Sequence, residues 1–225
     1  MMISVIIPTL NAAETLNATL SVLAPAKSGG LILDVIVVDG GSTDATLAIA
    51  GKGNCIRIAS SSGRGQQMAR GAKAAKGRWL LFLHADTILE DGWINEVCEH
   101  MEVQPEKAAV FRFAMQSDRV QARIIEWIVN WRCRLLALPY GDQGLLIEKE
   151  YYDRLGGFAS LPLMEDVEII RRIGRRRLHF LETRAISSAA RYDKGGYFIR
   201  PIRNLFCLGL YFIGVPVATI KRIYG

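Results

Sequence analysis

The sequence predicts an α/β fold: a mostly parallel sheet flanked by helices, with a helical appendage at the C-terminus. Short apolar runs at Ile3–Ile7, Leu33–Val38 and Trp79–Leu83 leave no room for helical amphipathicity and suit strands buried on both faces. Short helix-forming segments separate them, which is the spacing of βαβ units. Each run stops abruptly, at Pro8-Thr9, at Asp39-Gly40-Gly41 and at His84-Ala85-Asp86. Ligands of open α/β sheets sit beyond the carboxyl ends of the strands, where these residues fall. A chain of 225 residues, 50% of them hydrophobic, can bury one substantial core. We divide it into a domain over residues 1–194 and a C-terminal helix over 195–225, packed on the domain or lying on a membrane surface.

Taken in order, Ile3–Ile7 is a strand stopped by Pro8, and a helix follows with Asn11 or Thr15 as its cap. No Gly-x-Gly-x-x-Gly occupies this turn, which removes the main support for a dinucleotide-binding domain. After Leu33–Val38, Gly40 and Gly41 allow a tight turn, and Ser42 or Thr43 caps a helix through Ala45–Ala50. Cys55–Ala59 alternates as a strand. A polar loop and a small-residue helix then lead to Trp79–Leu83. Asp91–Met101 reads as a helix, Ala108–Ala114 as a strand, Tyr140–Ile147 as a turn into a strand, and Tyr151–Phe158 as a helix closed by Gly156-Gly157. Between them, Val120, Ile124, Ile128, Trp131, Leu135 and Leu138 share a helical stripe, read here as the face packed on the sheet. The alternative is a lipid-facing surface, since Trp127 and Trp131 sit among arginines. Glu165 and Asp166 open a further helix, where negative charge is favourable by about 0.3–1 kcal/mol. From Asn204 to Ile220 the chain is uncharged, but it falls short of the ~18 residues of a spanning helix, and Gly209, Gly214 and Pro216 interrupt it.

The formal net charge of +6 favours an anionic partner. Arginines cluster at Arg171, Arg172, Arg175, Arg176 and Arg177, with a second basic group at Arg184, Arg191, Lys194, Arg200 and Arg203. Four scattered cysteines and three histidines suggest no structural zinc site and a reducing, cytoplasmic setting. The N-terminus lacks the basic region and long apolar run of a signal peptide.

The segments SVIIPTLNAAETL, DVIVVDGGSTDAT, GRGQQMARGAKAAKGRWLLFLHADT, GDQGLLI and LMEDVEIIRRI together resemble, in order, the family 2 glycosyltransferases of the GT-A fold, a Rossmann-like architecture. The HAD form of the metal motif and the GDQ segment are similar to a compact bacterial branch of that family. The resemblance implies a nucleoside-diphosphate sugar as donor, UDP-linked by expectation, a divalent Mn2+ or Mg2+ ion, and transfer to a hydroxyl acceptor with inversion. It implies that Asp39 accepts hydrogen bonds from uracil or ribose, with backbone of Pro8 and Thr9 in the same pocket. Arg64 approaches the base or a phosphate, or is simply solvated. Asp86 holds the metal against the diphosphate beside Ala85. His84 replaces the first Asp of the family's Asp-x-Asp and is either a second metal ligand or a partner for backbone or sugar hydroxyls. Asp166 is implied as general base, with Glu165 orienting it or serving as base itself. Asp142 and Gln143 shape the acceptor side or bind the donor sugar, and Arg191 meets the diphosphate.

Two other classes compete with this reading. A sugar-nucleotidyltransferase would open with a glycine- and arginine-rich loop where this chain has PTLNAAETL. A non-catalytic nucleotide or nucleic-acid binder would interleave aromatics with basic residues, a pattern absent outside the Trp127 region, so no nucleic acid is expected. The acceptor is open, with a lipid-linked molecule and peripheral contact at the inner face of the membrane as the expectation. The sequence does not fix an oligomeric state.

Overall fold

The structure, a computed structural model, describes residues 2–190, 192, 196–197 and 199–224. Eight strands form one sheet in the order β3-β2-β1-β4-β7-β6-β8-β5. These are β1 (Ile3–Thr9), β2 (Ile32–Asp39), β3 (Ile56–Ala59), β4 (Trp79–Phe82), β5 (Thr87–Leu89), β6 (Ala108–Gln116), β7 (Leu145–Glu148) and β8 (Leu178–Ser188). The first four pair in parallel, with Thr9 opposite Asp39 and Ile6 opposite Phe82. β7 runs antiparallel to both β4 and β6, β8 is parallel to β6, and β5 closes the edge antiparallel to β8. The ends of β1, β2, β4, β6 and β8 and the start of β7 therefore meet at one edge.

Successive side chains alternate across a strand, and the two faces of the sheet carry separate cores. Ile6, Ile36, Val38, Leu80 and Phe82 pack under α3 (Arg64–Ala74), α6 (Lys149–Arg154) and α7 (Glu165–Ile173), through residues such as Met68, Tyr151 and Ile170. Val5, Ile7, Val37, Trp79 and Leu81 pack under α1 (Leu16–Ser28), α2 (Thr46–Lys52) and α4 (Trp93–Val103), through Leu23, Ala50 and Val97. Each such fully buried large side chain contributes about 1.5–3 kcal/mol of transfer free energy. Two C-terminal helices, α8 (Ile199–Phe212) and α9 (Val217–Tyr224), seat Cys207, Leu208 and Ile220 in the first core. Gly214, at φ 86°, separates them.

Several expectations change at close range. Thr15 precedes α1 without a side-chain cap bond. Asn11 instead spans to the neighbouring loop, its Oδ1 accepting from the Thr43 N–H at 2.9 Å. The cap position of α2 is neither Ser42 nor Thr43 but Ala45, without a side-chain cap bond, and Asp44 Oδ1 just before it accepts from the Thr46 N–H at 3.0 Å. The larger correction concerns α5 (Val120–Leu136), where Val120, Ile124, Ile128, Trp131 and Leu135 face outward at 46–71% exposure. The sheet side belongs to Ala122, Ile125 and Cys133. Periodicity identified the stripe but assigned it to the wrong side, because smaller side chains let the helix approach the strands closely. Leu138, beyond the helix, is buried as expected.

Candidate active site

At the shared edge a cleft with a cavity volume of about 130 Å³ opens to solvent, lined by Arg64, His84, Asp86, Tyr140, Gly141, Asp142, Met164 and Asp166, with Ser187, Ser188, Tyr192, Asn204 and Tyr224 on the far wall. Side chains as far apart in the chain as Arg64 and Tyr224, with Asp86 and Asp166 between them, thus share one cavity.

The backbone of His84-Ala85-Asp86 is pinned from both sides. Thr19 Oγ1 of α1 donates to the Ala85 carbonyl at 3.0 Å, and the Ser188 N–H at the end of β8 donates to the Asp86 carbonyl at 3.1 Å. Ala85 itself is buried, so His84 and Asp86 are the side chains turned to the cleft.

Asp166 enters from the first turn of α7. Its Oδ2 accepts from the Gly141 N–H and its Oδ1 from the Val167 N–H, both at 2.8 Å. Gly141 is squeezed between two functional groups: a Cβ there would lie 3.0 Å from His84 Nε2 and 3.4 Å from Asp166 Oδ2. Before the helix, Met164 adopts φ 63°, a left-handed conformation that costs a side chain about 1–2 kcal/mol. Glu165 points the other way into the protein, 2% exposed, where Arg64 Nε meets its Oε1 at 2.8 Å. Burial pushes the Glu165 carboxyl up and the Arg64 guanidinium opposes it.

Asp142 sits in a 3-10 turn (Gly141–Gln143) leading into β7. Burial raises its pKa to about 6; the charges of Asp166 and Asp86 add to this, and Arg132 opposes it. Its Oδ1 and the Oδ1 of Asn204 across the cleft are buried and accept no hydrogen bond from the protein. Gln143, by contrast, is 1% exposed and fully engaged, its Nε2 donating to the Phe111 carbonyl at 2.9 Å and its Oε1 accepting from Cys133 Sγ at 3.1 Å. It holds the turn and does not line the cleft.

Asp39, at the end of β2, lies at the same sheet edge, but neither it nor Pro8 or Thr9 lines this cleft. Burial pushes its carboxyl up, but hydrogen bonds outweigh that and hold it below the ordinary value. Its Oδ2 accepts from the N–H groups of Gly41 and Ser42, and its Oδ1 from Ser42 Oγ at 2.5 Å and Thr9 Oγ1 at 3.0 Å. The Thr9 carbonyl is likewise occupied by the Gly40 N–H and by Gln67 Nε2, which also reaches the Val38 carbonyl at 2.7 Å. Gln67 and Thr19 went unnoticed in the sequence because they act on carbonyls far away in the chain. The far wall carries Tyr192, Asn204 and Tyr224, from a segment whose motif pattern gave no signal. Arg191 lies outside the described residues.

Among the described residues, no group of three or more His, Cys, Asp or Glu side chains is arranged to hold a metal alone. His84 and Asp86 line the cleft side by side, one imidazole and one carboxylate, a donor pair that a divalent cation can use. Such ions commonly take one or two carboxylates and complete their shell with substrate phosphate oxygens.

This curled, mostly parallel sheet with its flanking helices has the GT-A fold. TarS from S. aureus superimposes with a TM-score of 0.65 at 18% identity, over 99% of this chain and 42% of that one. Glucosyl-3-phosphoglycerate synthase from Mycobacterium tuberculosis, in complex with Mn2+ and UDP-glucose, gives 0.64 at 18% identity, over 96% and 80%. The sequence model of Glycosyl transferase family 2 matches residues 4–159, and the chain belongs to that family. PGL/p-HBAD biosynthesis glycosyltransferases of Mycobacterium bovis and Mycobacterium tuberculosis are 43% identical over 95 residues. That match covers 39% of this chain and about a third (36%) of the length of those relatives.

Proposed function

We propose that the protein transfers a sugar, with inversion, from a nucleoside-diphosphate donor to a hydroxyl acceptor. The observation that carries this reading is the meeting of Asp86, Asp142 and Asp166 around one cleft at the carboxyl edge. Burial is the main cause of the raised Asp142 pKa, and repulsion from Asp166 and Asp86 adds to it; a cation-bound diphosphate relieves that repulsion. The donor is read as UDP-linked because a solved relative of the same fold is bound to UDP-glucose and Mn2+.

Asp86 and His84 would hold the cation. Bound there, Mn2+ or Mg2+ neutralises the diphosphate as it leaves. Asp39 and the Thr9 turn form the floor beside which the base and ribose lie. A nucleoside contact to Asp39 must share acceptor positions already used by Ser42 and Thr9. Arg64 stands at the cleft wall, fixed by Glu165, with its charge available to phosphate. Asp166 accepts the acceptor hydroxyl proton while the hydroxyl oxygen attacks the anomeric carbon from the face opposite the leaving diphosphate. The Gly141 and Val167 N–H groups fix the direction of its carboxylate. Glu165, buried against Arg64, orients this helix start. We read the acceptor as lipid-like and the protein as cytoplasmic, peripheral at the inner face of the membrane, since the cleft opens beside exposed apolar helices.

Asp166→Asn tests the reading. It is expected to keep UDP affinity within about twofold and to lower transfer by about 10²–10⁴-fold, the range of a general base. Unchanged turnover in that variant would remove the base assignment.

A further inference from the structure

We propose that the outer faces of α5 and α8 form one docking surface for an anionic lipid bilayer. The proposal names the partner behind the membrane contact proposed above and rests on that reading, though not on the chemistry of the cleft.

On α5, Val120, Ile124, Trp127, Ile128, Trp131 and Leu135 fall on one side, all exposed, and the two indole rings stack at 6.4 Å. On α8, Ile199, Ile202, Leu205 and Phe206 are 56–70% exposed. These faces begin at a common point. Tyr197, two residues before α8, is buried with Ala122 and Ile125 of α5, its hydroxyl 3.1 Å from Ser117 Oγ. Tyr192 packs on the same cluster and lines the cleft, and Asn204 and Tyr224 of the C-terminal helices complete that wall. A surface resting on both helices therefore lies beside the cleft mouth.

The charge around these faces selects the occupant. From residue 196 to the C-terminus there is no Asp or Glu, while Lys221 and Arg222 are exposed. The one acid of α5, Glu126, turns inward, accepting from the Met115 N–H at 2.6 Å and pairing with Arg123. Arg112 and Arg134 stand exposed beside the tryptophans, in a groove that also holds Glu182 and the Arg184–Glu90 and Arg123–Glu126 pairs. Apolar residues, interfacial tryptophans and a basic surround match a helix lying in an anionic headgroup layer. An isologous pairing with a second copy would set these arginines against one another. No described helix is long and apolar enough to cross a membrane, so the contact lies in the interface plane.

The full chain, without donor, is sedimented with vesicles of phosphatidylcholine alone or mixed with phosphatidylglycerol. Binding is expected to the mixed vesicles and to weaken with salt. Trp79 and Trp93 are buried already, so a blue shift of tryptophan emission on binding reports Trp127 and Trp131 and tests the proposal without substitution. The double variant Trp127→Glu/Trp131→Glu, which leaves the cleft untouched, is expected to bind about tenfold more weakly or worse. It should keep UDP binding by calorimetry, which separates loss of docking from loss of the active site. No binding to mixed vesicles, no emission shift, or equal binding by the double variant overturns the proposal. Concentration-dependent dimerisation that the double variant abolishes, without vesicle binding, assigns the face to a second copy instead.

Discussion

At Asp142, burial drives the carboxyl to about 6 against an ordinary value of 3.8. The folded protein thus holds this proton more tightly than the unfolded chain does. Ionisation of Asp142 costs stability as pH rises from about 4 through 6, and the cost persists above that. Asp142→Asn is therefore expected to raise the melting temperature of the ligand-free protein at pH 7.5, with the gain shrinking towards pH 4. Each ~1 kcal/mol of relief shifts the midpoint by about 2–4 °C in a domain of this size. A melting series across that pH range checks it. In the sequence, Asp86 and Asp166 stood out through the family-like segments that carry them, since a helix start alone already favours an acid at Asp166. The environment of Asp142 was not legible, since it depends on Arg132, Asp86 and Asp166 arriving from other elements. Gln143 shows the converse: adjacent to a cleft residue in sequence, it spends its whole amide on the turn.

Among the elements, α3 positions the cleft by lying against β1 and β2, and Gly71 permits that approach. A Cβ there would stand 2.4 Å from Ile6 Cγ2 and 3.0 Å from Val38 Cγ2. Gly71→Ala gains helix propensity but overpacks a fully buried contact. A net loss of about 1–3 kcal/mol is expected in urea denaturation. The apolar runs of β1, β2 and β4 were readable because both faces are buried, leaving little else for such segments to be. β8 was not: its mix of His179, Glu182, Thr183 and Arg184 with apolar residues follows from packing Leu181 and Ala185 against α4, with His179 and Thr183 bonded to that helix, while Glu182 and Arg184 turn to solvent. For α5 the sequence defined a stripe, read as the side turned in, whereas it faces outward. That choice is made by how closely Ala122 and Cys133 can approach the sheet, a tertiary matter.

In the molecule as a whole, an edge built by parallel strands collects negative charge within a chain of net charge +6. Apart from Arg64 and Arg132, which face the cleft acids, positive charge gathers over residues 171–177 and at exposed Arg112, Arg134, Lys221 and Arg222. This separation gives the cleft a use for a cation and the outer helices a use for an anionic surface. Calorimetric titration of the full chain with UDP, with Mn2+ and then with chelator, tests the central claim most directly. The account predicts binding with Mn2+ that weakens about tenfold or more on chelation, and Asp86→Ala that no longer responds to the metal. Absence of UDP binding in both conditions, or affinity indifferent to Mn2+ and to Asp86, would contradict it.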